Sequence, residues 1–182
     1  MRIISGKFGG HRFHPPKKLP YRPTTDIAKS GLFNILNNHW DYEDISVLDL
    51  FSGTGMVSLE FASRGCANIT SVDLNFGCVK YLKDNTKKLD IKGIKALKSD
   101  AFKFITKFNK QVDIVFASPP YAIEKDIPKL SDLVFEHNIL KPDGWCIVET
   151  NDLVILDEKP YFSFKRNYGS TVFNFFEWNP EK

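Results

Sequence analysis

The sequence predicts an α/β protein built on a parallel β-sheet with helices on both faces, and three observations predict it. Between residues 45 and 150, short apolar runs alternate with stretches of helical periodicity, the rhythm of repeated βαβ units. Beyond residue 160 that rhythm gives way to two β-rich runs separated by only Asn167–Ser170, which reads as an antiparallel hairpin closing the sheet edge. The chain has 182 residues, 42% of them hydrophobic and 26% charged, enough for one domain with a real core.

The elements follow in order. Arg2 to Phe13 carries Ile3, Ile4, Phe8 and Phe13 around Gly6, Gly9 and Gly10, the pattern of a short β-hairpin. Pro15, Pro16, Pro20 and Pro23 make the next stretch an extended connector, because proline fixes φ and lacks the amide donor of a helix. Residues 1–23 are therefore expected to form an arm and residues 24–182 the main domain. Thr24-Thr25-Asp26 offers an N-cap, and Ile27, Ala28, Leu32, Ile35 and Leu36 recur at helical spacing to about Asn38, with Gly31 as the weak point. Strands are expected at 45–51, 68–73, 94–98, 112–117 and 144–150. Helices are expected at 56–64, 75–89, 101–108 and 127–140, and the final hairpin pairs 161–166 with 171–178.

No apolar run reaches the ~18–20 residues of a membrane span, and the opening Met1–Lys7 lacks the apolar stretch of a secretory signal. Cys66, Cys78 and Cys146 are odd in number and spaced like neither a disulfide framework nor a metal site, as expected of buried thiols in a cytoplasmic protein. No metal is expected. Charge is uneven: the chain is +3 overall, but residues 1–30 hold seven basic side chains against Asp26, a net of +6. A basic arm with interleaved His11, His14, Phe8, Phe13 and Tyr21 suits nucleic acid, and it equally suits a solvated hairpin.

In an open parallel sheet, ligands sit beyond the carboxyl ends of the strands. The first strand runs into Asp49-Leu50-Phe51-Ser52-Gly53-Thr54-Gly55, where the glycines allow a tight turn and a close ligand. The second ends in Asp73, 20 residues after Gly53, where a carboxylate can accept both hydroxyls of a ribose. The third is followed by Ser99-Asp100-Ala101, an acid suited to an adenine amino group. A dinucleotide fingerprint would place glycine or alanine where this chain has Ser58. Asp49 ahead of the glycines would repel a pyrophosphate and attract the ammonium of S-adenosylmethionine. The fourth strand leads into Ser118-Pro119-Pro120-Tyr121. There the Ser118 side chain and the Pro119 carbonyl can accept hydrogens from a base's exocyclic amine, and Tyr121 offers a ring for stacking.

With these motifs the chain resembles the RsmD group of class I methyltransferases, which modify the exocyclic amine of a guanine in small-subunit (16S) ribosomal RNA. The likeness spans Arg2–Gly10, Arg22-Pro23-Thr24-Thr25-Asp26, Leu32-Phe33-Asn34, the Asp49–Gly55 loop, Leu59-Glu60 and Ser63-Arg64-Gly65. It implies a Rossmann-like, seven-stranded, mostly parallel sheet, S-adenosylmethionine as cofactor, and ribosomal RNA in an assembled or assembling particle as partner. Nothing in the sequence demands a dimer, and a monomer is expected. By position, Asp73 and Leu74 would serve the ribose, Asp100 and Ala101 the adenine, and Thr24 and Asp49 the methionine end, with Phe51, Ser52, Gly53 and Gly55 forming the loop. Arg2, Lys7, Arg12, Lys17, Lys18 and Arg22 would grip RNA. Ser118 departs from the family's usual Asp or Asn, and Ser-Pro-Pro-Tyr is similar to the motif of DNA amino-methyltransferases. A DNA enzyme, a nicotinamide oxidoreductase and an RNA-binding relic without turnover stay open as alternatives.

Overall fold

In a computed structural model describing residues 1–20 and 24–178, the expected alternation resolves into one seven-stranded sheet. Helix α1 (Asp26–Leu36) precedes β1 (Ser46–Leu50), α2 (Met56–Ser63), β2 (Asn68–Asp73), α3 (Phe76–Lys88), β3 (Ile94–Lys98), α4 (Ala101–Ile105) and β4 (Val112–Ala117). A 3-10 helix (Tyr121–Asp126), α5 (Pro128–Glu136), β5 (Leu140–Thr150), β6 (Phe162–Tyr168) and β7 (Thr171–Phe176) complete it. The strand order is β3-β2-β1-β4-β5-β7-β6. The first five strands pair in parallel, and β7 inserts antiparallel between β5 and β6.

Alternate residues of the strands feed two cores. Leu48, Leu50, Val115 and Val148 pack with Ile105, Leu130 and Val134 on one face. Val47, Ile114, Phe116 and Ile147 pack with Leu32, Phe33 and Phe61 on the other, joined by Phe173 and Phe175 of β7. Gly31, the weak point of the α1 pattern, sits under the ring of Tyr168, where an added Cβ would lie 2.2 Å from the ring carbons. The helix gives up some intrinsic propensity there so that the C-terminal strands can close onto it.

Several boundaries differ from expectation. The helix expected through residue 140 stops at Glu136. Asn138 takes a left-handed φ of +50°, and Ile139 and Leu140 turn fully into the core, the Ile139 carbonyl accepting the Val112 amide at 2.8 Å. The helix expected over 101–108 ends at Ile105, and no sequence periodicity announces the 3-10 turn after Pro120. The N-terminal hairpin is reduced to one antiparallel bridge, Arg2 to Arg12, because the glycine-rich stretch between turns back on itself through Gly9 N–H to Gly6 O and His11 N–H to Phe8 O.

What holds residues 1–20 is the body of the protein. Ile3 and Phe13 are buried against Met56, Leu59, Val79 and Leu82. The Glu60 carboxylate on α2, 0% exposed, accepts the amides of Ile4 (2.7 Å) and Ser5 (3.1 Å), and pairs with Lys29 (3.3 Å) and Arg64 (2.9 Å). Lys29 also donates to the Arg2 carbonyl at 2.5 Å. Burial pulls the Lys29 pKa down, partly offset by Glu60. A buried carboxylate persists because four donors satisfy it.

Candidate active site

Parallel ladders bring the strand tips level: the amides of Ser52, Ser99 and Ser118 donate to Val72 O (3.0 Å), Asp73 O (3.0 Å) and Leu50 O (3.3 Å) on neighbouring strands. Beyond these tips opens a cavity of about 680 Å3. From the β1 tip, Asp49, Phe51, Ser52 and Gly53 line it; from β2, Asp73 and Leu74; and from β3, Asp100 and Ala101. The β4 tip brings Ser118, Pro119, Pro120 and Tyr121, and Thr24 closes one side. Asp73 and Tyr121 thus open onto the same space.

Gly55 does not line this cavity. Its φ of +78° caps α2 without a side chain, and a Cβ there would sit 2.4 Å from Leu82 on α3, so this glycine lets α2 and α3 pack closely. Arg2, Lys7, Arg12, Lys17 and Lys18 lie outside the cavity and are exposed. Arg2 is tied to Asp26 at 2.8 Å. Arg22, with Tyr21 and Pro23, lies outside the described residues.

Each acid has a distinct setting. Asp73 accepts the Gly53 amide on Oδ2 (2.8 Å) and the Asn75 amide on Oδ1 (2.7 Å), so one carboxylate fixes both the glycine turn and the start of α3. Asp100 caps α4 by accepting the Lys103 amide at 2.9 Å. Asp49 is 1% exposed and accepts one side-chain donor, the Ser58 hydroxyl, which lies 2.6 Å from the Ser71 hydroxyl. Burial pushes the Asp49 pKa up to about 7; the Ser58 hydrogen bond opposes this, and the negative fields of Asp73 and Glu149 add to it. Thr24 donates to the buried Glu149 at the end of β5, at 2.8 Å, which fixes that wall of the cavity.

Sequence reasoning missed several lining groups. Phe102, Met56, Val57 and Phe116 give the cavity apolar walls, and Phe51 meets Phe102 edge-on at 6.0 Å. In sequence these are indistinguishable from core residues. Phe51, expected in the loop, adds a feature that sequence does not carry, a φ of +56° that few non-glycine residues adopt and that clusters at functional sites. Asn75, expected only as the start of a helix, caps α3 by accepting the Cys78 amide and also lines the cavity. All three cysteines are buried and free; burial raises the Cys146 thiol to about 12 and the Cys78 thiol to about 11, which keeps them unreactive. Among the described residues no group of three or more acidic, histidine or cysteine side chains could hold a metal ion, and no helix is long and apolar enough to cross a membrane.

The family model for conserved hypothetical protein 95 matches residues 1–177. YlbH of Bacillus subtilis is 31% identical over 178 residues, covering 94% of this chain and 95% of its own. The ribosomal RNA small subunit methyltransferase D of Escherichia coli is 30% identical over 152 residues, covering 82% of this chain and 71% of its own. The chain belongs to the RsmD family. The solved structure of yhhF from Escherichia coli, 24% identical, superimposes with a TM-score of 0.82 over 98% of this chain and 99% of its own. The RsmD-family protein described here therefore has the class I methyltransferase fold, antiparallel C-terminal strands included.

Proposed function

We propose that this protein transfers a methyl group from S-adenosylmethionine to the exocyclic amine of a guanine in small-subunit ribosomal RNA. It would act in the cytoplasm, as a monomer, on an assembled or assembling particle. The observation that carries the reading is the single cavity in which the buried Asp49 and the Ser118–Tyr121 corner face a common space. A carboxyl group with one side-chain donor and no cation is costly to ionise, and a ligand ammonium is the partner that setting calls for. Asp73 is held rigid by two amides, and each of its oxygens keeps a second lone pair for ribose hydroxyls. Asp100 and Ala101, with Phe51 and Phe102, would bound the adenine.

The cofactor, when bound, supplies an electrophilic methyl on a sulfonium sulfur. The protein's own part is to present the nucleophile. The Ser118 hydroxyl and the Pro119 carbonyl accept the two N–H bonds of the amine and favour its pyramidal, nucleophilic geometry as positive charge develops. Pro119 and Pro120 keep that corner stiff, and Tyr121, 41% exposed at the rim, stacks on the base. Nitrogen forms its bond to the methyl as the carbon–sulfur bond breaks, and the alkylated nitrogen then releases a proton to water. A base in a duplex cannot reach this corner, so the target guanine is unpaired or turned out. Lys7, Arg12, Lys17 and Lys18, exposed on the arm, orient the RNA through phosphates.

The test is incorporation of labelled methyl into small-subunit RNA or whole subunits, followed by digestion and mass spectrometry. One N2-methylguanosine is expected, and label in duplex DNA with none in RNA would overturn the reading. Ser118→Ala should cut turnover at least tenfold while calorimetry shows unchanged cofactor affinity; full turnover would remove Ser118 from the reaction.

A further inference from the structure

Apart from the arm, positive charge concentrates in one other stretch. Residues 80–110 hold ten of the chain's twenty lysines and three aspartates, a net of +7 in a chain that totals +3. All ten lysines are exposed, and among the described residues only Lys80 and Lys92 have a carboxylate within 4 Å. Lys80, Lys83 and Lys87 follow helical spacing along the outer stripe of α3, opposite the buried Val79 and Leu82. Lysines at i, i+3 and i+4 repel one another and weaken the helix. The Lys80–Asp84 pair and the carboxyl-terminal position of Lys87 offset part of this, but Lys83 and Lys87 have no carboxylate within 4 Å among the described residues, so their charge is available to a polyanion. Lysine delivers a point charge suited to phosphate and carries little base selectivity.

The stripe is continuous with the arm. At the end of α3 the chain turns through Asp90 (φ +50°) and Gly93 (φ +99°), where a Cβ on Gly93 would lie 2.4 Å from the Ala67 carbonyl oxygen. That fixed turn brings Lys92 to a groove of about 340 Å3 that it lines with Lys7, Phe8, Ala62, Ile91 and Asp90, whose exposed carboxylate lies 3.9 Å from the Lys92 ammonium. At its other end α3 begins at the cavity lip, where Leu74 is 65% exposed. A 13-residue helix spans about 20 Å, so the stripe connects lip and groove.

We infer that the outer stripe of α3, joined to the arm through the Lys7–Lys92 groove, is a second phosphate-binding track for the RNA substrate. This rests on the RNA reading above. In the groove, the Lys7 ammonium, held 5.3 Å from the centre of the Phe8 ring, and Lys92 contact successive phosphates.

The test compares three triple or double variants on small-subunit RNA across a salt series, with cofactor affinity measured alongside. Lys83→Ala/Lys87→Ala/Lys92→Ala should raise KM for RNA about tenfold near 0.15 M salt. It should also lower the slope of log affinity against log salt by about 2, with kcat at saturating RNA and cofactor affinity unchanged. Lys129→Ala/Lys159→Ala/Lys165→Ala removes the same charge from lysines already paired with Asp132, Asp157 or Asp126 and should leave KM within about twofold. Lys7→Ala/Arg12→Ala reports on the arm. An unchanged slope in the α3 variant beside a weakened arm variant overturns the track and leaves the RNA reading standing. Equal losses in the α3 and control variants reduce the effect to net charge and also overturn the track. No loss in any variant overturns both.

Discussion

Asp49, 1% exposed, and Asp113, 9% exposed, lie on adjacent strands and meet opposite fates. Asp113, near the amino end of β4, accepts the Ser46 amide (2.8 Å), the Ser46 hydroxyl (2.8 Å) and the Lys141 ammonium (2.7 Å). Burial would raise its pKa, but Lys141 and Ser46 outweigh that and hold it below the usual carboxylate range. Asp49, near the carboxyl end of β1, has the hydroxyl and backbone amide of Ser58 as donors, no cation and two like charges, and burial wins, taking it to about 7. The same residue type is a completed structural joint at one end of the sheet and an unfinished one at the other. The unfinished one faces the cavity. A buried carboxyl short of partners that faces a cavity marks a place where a ligand cation can complete the set.

That contrast can be broken in four ways. The largest effect is expected from Asp49→Asn, which keeps the shape and removes the charge. Cofactor affinity should fall about a hundredfold by calorimetry, and an unchanged value would make Asp49 a structural residue like Asp113. Next, Asp113→Ala leaves the Ser46 amide and Lys141 without an acceptor and should cost about 2 kcal/mol, lowering Tm by roughly 5 °C with cofactor affinity intact. Third is the pH dependence of the ligand-free protein. A carboxyl whose folded pKa is raised to about 7 gives stability that is fully present below its unfolded value and is lost as pH rises toward 7. Asp113 runs the other way: its folded pKa is lowered, so its contribution is lost only as the solution becomes acid. Asp49→Asn should therefore flatten the decline in Tm between pH 4 and 7, and an unaltered slope would show that Asp49 is ionised without a ligand. The smallest effect is on binding: cofactor affinity should rise severalfold from pH 6 to about pH 7.5, as the carboxylate form fills, and decline at higher pH as the ligand's own ammonium loses its proton.

The sequence already carried the sheet, the order of its elements and the four tips, because strand periodicity and acids after strands are local signals. Ser58 is instructive. Its presence where a dinucleotide fingerprint has glycine or alanine argued only against one cofactor, yet its hydroxyl is what seats Asp49. That relation joins residues nine apart across a strand-to-helix turn, and no local rule states it. Phe102 and Phe116 read as core in sequence because an apolar side chain facing a cavity obeys the same periodicity as one facing a helix. The arm was legible as charge and turn residues, but its attachment was not. Glu60 looks like an ordinary surface position on α2 until Ile4, Ser5, Lys29 and Arg64 converge on it. The stop of α5 was hidden because Ile139 and Leu140 continue an apolar pattern that serves a strand just as well.

The convergence on Glu60 has a practical corollary for anyone redesigning this scaffold. A fragment cut to begin at α1 would shed two amides and a carbonyl from an ion cluster sealed from water, and would open the apolar floor beneath Ile3 and Phe13. The leading segment cannot be exchanged for an unrelated module as though it were a detachable tag. Any graft must reproduce its backbone hydrogen bonds before it contributes a single positive charge.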